Sequence, residues 1–466
     1  MIQLDTTPIL PRKNAFLVGG SLRDLLLGRK PLDYDVAVKG NPSLYAAEIA
    51  KKQNGHVISL GKPGKNIFRV IATHAVVDVS ALKGASLNED LAHRDFTINA
   101  MALDTASGEL IDIFGGVDDL RNRRIRKVCD AVFRQDPIRL LRAFRLSAVL
   151  NFTMDAATLA GIIKDGALIQ SAAGERVRDE LMKILALPSA GPCIRQMAEA
   201  GLLLALFPEM DALRFLEKNR HHAFDGLEHT LRAVFQLEEL LANPAALCPE
   251  YAERIEQRLQ QSNPAILKCA LLWHDIGKPL CAVQDTSGNI RYTGHENTGA
   301  AMAQNIAGRL RFSNRQIHAV DCIIRHHLRP LSLFIADRQG MLTHRGVTRF
   351  FMKCEPLAVP ILLHATADMA AKKTGPAAGE ARQFRQFASA LLQQYYVRHL
   401  PARAKAPLLT GHDLSSRLRL KPSPLFKTIL SRVEAARLSG EIDNKQDALA
   451  LAEQIANRES GSQGGF

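Results

Sequence analysis

Two aspartates, Asp33 and Asp35, follow a Gly-Gly turn in the run AFLVGGSLRDLLLGRKPLDYDVAVKG, residues 15–40, which leaves the surrounding chain little freedom. The apolar residues 15–18 read as a short buried strand. Gly19 and Gly20 permit a tight turn, and Ser21 is placed to cap a helix over 21–27. The turn amides and the helix N-terminus would face an anion, as in phosphate-binding loops. The chain then returns as a strand over 34–38. Alternate residues on a strand share a face, so the two carboxylates point the same way. They repel unless a cation lies between them, and Mg²⁺ shared with substrate phosphates resolves that repulsion. Arg23, one helical turn on, is in reach of a triphosphate. A phosphate loop followed by metal carboxylates suits nucleotidyl transfer.

The remaining composition agrees with such chemistry on a large polyanion. A chain of 466 residues is expected to form about two to four domains. It is 47% hydrophobic, enough for real cores, and carries a net charge of +13, suited to an extended polyanionic partner. No apolar run reaches membrane-spanning length and no secretory leader is evident, so a cytoplasmic protein without a membrane partner is expected. The seven cysteines are scattered without CxxC spacing, which argues for reduced thiols over a disulfide framework or a zinc site.

Strand signals concentrate in residues 1–125, over 16–18, 34–38, 56–59, 67–72, 75–80 and 110–112. Helices are expected there over 21–27, 42–53 and 97–102. Asp78, near the end of the fifth strand, is placed to supply a third carboxylate. From about 126 onward apolar residues recur at helical spacing. A helix over 136–150 carries Ile138, Leu141, Phe144 and Leu146 on one side. Arg139, Arg142 and Arg145 form a basic stripe expected to face the substrate. Asp136 and Arg139, three apart, are expected on one helical face. The chain divides into an α/β head (1–125), a helical neck (126–215), a helical body (216–400) and a helical tail (401–466). A loop over 370–379 interrupts the body, and the final SGSQGGF reads as disordered.

GGSLRDLLLGRKPLDYDVAV resembles the signature motif of the tRNA nucleotidyltransferase and bacterial poly(A) polymerase family, whose best-known members are CCA-adding enzymes. DLAHRDFTINAMALD resembles that family's ribose-recognition motif, and RQDPIRLLRAFRLSAVLNF its base-recognition motif and neck. The resemblance implies an α+β fold, with a polymerase-β-like head on an all-helical neck, body and tail. It implies two-metal transfer from CTP or ATP to tRNA, with Asp33, Asp35 and Asp78 catalytic and Mg²⁺ on Asp33 and Asp35. Gly19, Gly20, Arg23, Arg94, Asp95, Asn99, Asp136, Arg139 and Arg142 would bind the nucleotide. Arg94, Asp95 and Asn99 fall in the ribose motif, and Asp136 with Arg139 acts as an amino-acid template for C and A. His93 stands where the family commonly has arginine, and Gln135 where it often has glutamate.

His229, the adjacent His274-Asp275 and Asp368 follow in the order that resembles the HD superfamily of metal-dependent phosphohydrolases. His295 and His326 stand where two-metal members place further ligands. This implies a second divalent metal in the body. Between Asp78 and Arg94 the chain is short, turning around Lys83-Gly84. Relatives that add only CC share that shortening. A poly(A) polymerase, or an HD phosphohydrolase with a nucleotide-binding head, are the competing readings.

Overall fold

The computed structural model describes residues 5–61, 67–73, 75–216, 224–288, 290–372 and 379–461. Two compact units are present: residues 1–187 with 192–206, and residues 188–191 with 207–466. Most of the loop expected over 370–379 and of the final SGSQGGF lies outside the described residues.

The first unit is built on seven strands: β1 (Ala15–Val18), β2 (Tyr34–Val38), β3 (His56–Leu60), β4 (Ile67–Ile71), β5 (Val76–Ala81), β6 (Ala102–Asp104) and β7 (Leu110–Ile111). They lie in the order β3-β4-β5-β2-β1-β6-β7. β2 and β5 are parallel, and every other pairing in the sheet is antiparallel. β1 is buried along its whole length, as its unbroken apolar run demands. Helices α1 (Gly19–Leu26), α2 (Pro42–Lys52), α3 (Leu87–Ala92) and α4 (Gly116–Arg121) accompany the sheet. Asn41 caps α2 through Ser43 N, with Pro42 at the first helical position, where its missing N–H costs nothing. The helix expected over 97–102 is instead a 3₁₀ turn, Thr97–Asn99, running into β6. Pairing of Ala102, Leu103 and Asp104 with β1 outweighs their helix propensity.

The pair β8 (Arg124–Ile125) and β9 (Thr153–Met154) brackets two helices, α5 (Val132–Gln135) and α6 (Arg139–Leu150). After them come α7 (Ala156–Asp165), α8 (Gly174–Leu185), α9 (Gly191–Glu199) and α10 (Leu202–Leu206). Leu140, Leu141, Phe144 and Leu150 fill the buried side of α6.

The second unit is almost wholly helical. It contains α11 (Gly226–Ala242), α12 (Ala252–Ser262), α13 (Pro264–Trp273), α14 (His295–Arg309), α15 (Asn314–His326), α16 (Arg329–Arg338), α17 (His344–Cys354) and α18 (Ala358–Ala371). A two-stranded hairpin, Val283–Gln284 with Ile290–Arg291, precedes α14. α13 and α18 are buried on nearly every side, which matches their almost unbroken apolar sequences. Gly379–Gln394 and four further helices, Leu400–Ala404, Gly411–Ser416, Pro424–Ser439 and Lys445–Gly461, complete the unit. Leu409, Leu414, Ile429, Val433, Ala448 and Ala452 form a separate small core in this last stretch. Among the described residues no helix is long and apolar enough to cross a membrane.

Candidate active site and metal clusters

The head site forms where β1 passes directly into α1. Gly19 has φ +72°, and a Cβ there would lie 3.0 Å from Arg94 Nη1 and 3.2 Å from Asp35 Oδ2. Both the left-handed backbone and the close approach of these two charged groups require glycine. Ser21 does not cap α1, whose N-cap is Val18. Its hydroxyl instead donates to Val18 O at 2.8 Å and accepts from Asp35 N at 3.0 Å, tying the turn to the carboxylate strand.

Asp33 precedes β2 and Asp35 lies within it, two residues apart as the sequence requires for a shared face. Asp78 on β5 is the direct parallel-strand partner of Asp35. The Asp33 side chain is about half exposed and that of Asp78 mostly covered. Burial, and then the neighbouring Asp33 and Asp78, push the Asp35 carboxyl up to about 6; Arg94 and Arg142 only partly offset this. A pair of carboxylates held together at such a cost fits a divalent cation. Asp78 itself is engaged on both oxygens by Arg69 of β4, at 2.7 and 2.6 Å. Nothing in the sequence spacing marks Arg69.

The segment expected to meet the ribose is held by many hydrogen bonds. Asp95 is buried and accepts from Phe96 N (2.8 Å), Asn99 Nδ2 (2.9 Å) and Arg142 Nε (2.8 Å). Burial opposes its ionisation, but Arg142 and these donors outweigh it and hold the carboxyl below the usual range. Arg94 forks onto Asp90 Oδ2 at 3.0 and 2.7 Å. Arg23 donates to Asn99 Oδ1 at 2.8 Å and to Asp24 Oδ1, linking α1 to the segment that holds Asp95. Asp90 also accepts from Lys83 N at 2.9 Å, and Ala85 N donates to Glu89 at 2.9 Å. The short connection around Lys83-Gly84 is therefore pinned to α3. Gly84, at φ +93°, lies so close to Glu89 that a Cβ would stand 2.4 Å from its Oε2.

Asp136 and Arg139, the pair expected to recognise the base, depart from their expected placement. Asp136 has an extended backbone, φ −154°, at the C-cap of α5, and α6 begins only at Arg139. Pro137 explains the break, because the residue before proline is driven out of helical geometry. Asp136 is gripped by both terminal nitrogens of Arg176 on α8, at 2.9 and 2.8 Å. Arg139 donates to His93 O at 2.5 Å and to Gln135 at 3.3 Å. The two residues neighbour each other without sharing a helical face. The arginine stripe is also more committed than expected: Arg142 takes Asp95, and Arg145 takes Glu180 at 2.5 Å.

In the second unit, α11, the end of α13, α14, the end of α15 and α18 converge on buried histidines and aspartates. His229, His274 and Asp368 form one group able to hold a metal ion, with His229 Nε2 2.8 Å from Asp368 Oδ1. Asp275, His295 and His327 form another. Asp275 Oδ2 stands 3.2 Å from His274 Nε2, while its Oδ1 stands 3.4 Å from His295 Nε2, so one carboxylate faces both groups. His327, not His326, joins the second group. Successive helical residues point about 100° apart, and His326 instead accepts from Arg329 at 3.2 Å. His364 lies one turn before Asp368, fully buried, its ring centre 5.2 Å from that of His274; the sequence reading passed over both His327 and His364. Ring nitrogens Nδ1 of His274, His295 and His327 each bond a backbone carbonyl three residues earlier, which turns Nε2 toward the clusters. Burial works against protonating His274, but Asp275 and Asp368 outweigh it and raise its pKa to about 10. Lys278 pairs with Asp275 at 2.6 Å and Lys372 with Asp368 at 3.6 Å.

Comparison with known proteins decides the family. The chain is 30% identical over 450 residues to the CC-adding tRNA nucleotidyltransferase of Thermus thermophilus, covering 95% of this chain and 94% of that protein. This chain belongs to the tRNA nucleotidyltransferase family. Residues 15–126 match the poly A polymerase head domain, 226–347 the HD domain and 370–452 tRNA nucleotidyltransferase domain 2. The A-adding tRNA nucleotidyltransferase of Deinococcus radiodurans is 31% identical over 455 residues, covering 96% of this chain and 97% of that one. The fold resembles the Thermotoga maritima CCA-adding enzyme complexed with tRNA, with a TM-score of 0.60 at 19% identity over 95% of this chain and 91% of that one. It also resembles a CCA-adding enzyme solved with CTP, with a TM-score of 0.63 at 20% identity over 96% and 91% of the two chains. The expected α+β architecture, with its polymerase-type head and HD domain, is borne out. The HD and nucleotidyltransferase domains together with the buried ligand groups suggest use of divalent metal.

Proposed function

We propose that this protein extends the 3′ end of tRNA with C from CTP, and that it adds CC rather than the full CCA. Asp33 and Asp35 would hold Mg²⁺, which supplies charge neutralisation for the attacking 3′-oxygen and the departing pyrophosphate. The turn amides of Gly19 and Gly20, with Arg23 near them, face the triphosphate. Asn99 and the Arg94–Asp95 pair meet the ribose. Asp136 accepts from an exocyclic amine carried by both C and A, and Arg139 donates to the neighbouring ring positions. For the base to be read, Asp136 must exchange Arg176 for the nucleotide.

The observation that carries the CC reading is the pinned turn at residues 83–85. Asp90 binds both Lys83 N and Arg94, and Glu89 packs on Gly84, so the segment beside the ribose motif has no slack with which to reshape the pocket for ATP. Both CC-adding and A-adding proteins stand among its relatives, so ancestry leaves this choice to local geometry. The test is to incubate tRNA lacking its 3′ CCA with CTP, ATP or both, and to sequence the ends. CC accumulation with negligible A is expected; rapid A addition to tRNA ending in CC refutes the reading.

In the second unit, His229, His274 and Asp368, with Asp275, His295 and His327, would hold one or two divalent ions, which would supply Lewis-acid activation of water for phosphoester hydrolysis. His326, which accepts from Arg329, stands outside both groups. None of the seven cysteines is in a disulfide, which fits a reducing cytoplasm.

A further inference from the structure

Asp35, Asp78 and Arg69 lie side by side across three adjacent strands, because β2 pairs Asp35 with Asp78 and β4 pairs Arg69 with Asp78. Directly opposed residues in a sheet share a face, so the backbone register alone brings the guanidinium to the carboxylates. The fork onto Asp78 uses Nε and Nη2 on separate oxygens, the geometry in which arginine binds a carboxylate most strongly. The same Nη2 lies 4.0 Å from Asp33 Oδ2. Of the other guanidiniums that act on Asp35, Arg94 forks onto Asp90 and Arg142 pairs with Asp95. Arg69 is therefore the cation that answers Asp78, and its charge also reaches the metal-binding pair.

We propose that Arg69 is a positioning residue that withdraws Asp78 from the metal, so that Asp33 and Asp35 alone bind it. The proposal rests on the reading that this pair holds the cation. A site with two working carboxylates carries less charge than one with three. It binds a divalent ion weakly until substrate phosphates complete the shell, so metal and nucleotide arrive together. Arg69 thus sets the coupling between metal and nucleotide, and Asp78 serves as its anchor.

The test is Mn²⁺ binding to the full-length protein without nucleotide, followed by electron paramagnetic resonance. The HD clusters give every variant the same background. Arg69→Gln releases Asp78, and Mn²⁺ binding should tighten about tenfold, the scale of one added unit charge at roughly 4 Å. Arg69→Lys keeps the charge and should stay near wild type. Arg69→Gln with Asp78→Asn removes the pair as uncharged near-isosteres and should also bind like wild type. Unchanged affinity in Arg69→Gln, or a tenfold loss in the double variant, overturns the proposal; the second result makes Asp78 a ligand. If Arg69→Gln alone does not melt cooperatively, the double variant decides. Asp35→Asn should abolish the head signal. If it does not, the metal is held elsewhere, and the failure belongs to the underlying reading rather than to Arg69.

Discussion

The two sets of residues proposed here as metal ligands meet the same electrostatic problem in opposite ways. In the head, carboxylates gather on two adjacent strands and the residue before one of them, and burial with mutual repulsion lifts Asp35 to about 6. In the body, carboxylates and imidazoles alternate in a sealed interior, where His274 and Lys278 hold Asp275 well below its usual range despite burial. The head carries a deficit of positive charge that a substrate-borne metal can satisfy. The body is nearly balanced by its own side chains, with the rings of His274, His295 and His327 aimed by backbone carbonyls. Under the proposed function, the first would take metal together with a nucleotide and the second would keep metal as a resident.

The strongest break would come from separating the sites. Asp35→Ala should lower nucleotide addition by roughly 10³-fold or more, while metal bound to the body, measured by elemental analysis, stays constant. Conversely, His274→Ala or Asp275→Ala should strip that metal and abolish any metal-dependent phosphodiesterase activity, with nucleotide addition within about threefold of wild type. Equal loss of both activities in either well-folded variant would dissolve the distinction.

A next-largest effect concerns what the head reads. Arg139→Ala should raise misincorporation of UMP or GMP by about 10- to 100-fold, corresponding to ~1–3 kcal/mol of lost discrimination, with a smaller change in triphosphate KM. Single-turnover incorporation of each NTP measures this. An unchanged spectrum would reduce Asp136, Arg139 and Arg176 to a structural ion-pair network.

The pH dependence sharpens the contrast in charge. A proton on Asp35 competes with the metal, so Mn²⁺ affinity of the head should fall about tenfold per pH unit below pH 6 and level off above it. Affinity that is flat from pH 5 to 8 would contradict this.

The smallest effect is on stability. The folded pKa of Asp35 lies above its usual value of 3.8, at about 6. Folding therefore favours the neutral acid, and stability is lost as pH rises between those two values, by up to ~3 kcal/mol. Asp35→Asn should thus stabilise the protein in chelator at pH 8 and leave it unchanged at pH 4, read by urea melts. Destabilisation at pH 8 would show that the carboxylate is not strained.

The sequence alone determined the local parts of this protein. The strand–Gly-Gly–helix–strand run has a single way to place Asp33 and Asp35, because period-two geometry and the φ +72° at Gly19 are properties of a few neighbouring residues. The helical character beyond residue 126 was equally plain from its spacing. Tertiary structure decided what depends on partners far along the chain. Asp136 meets Arg176 forty residues later, a pairing set by how α8 packs and invisible in the spacing of Asp136 and Arg139. The choice of His327 over His326 turns on the phase of α15 as it leaves its last turn. Asp78 looked free because Arg69 reaches it only through the β4–β5 register, and register is fixed by the sheet rather than by either strand.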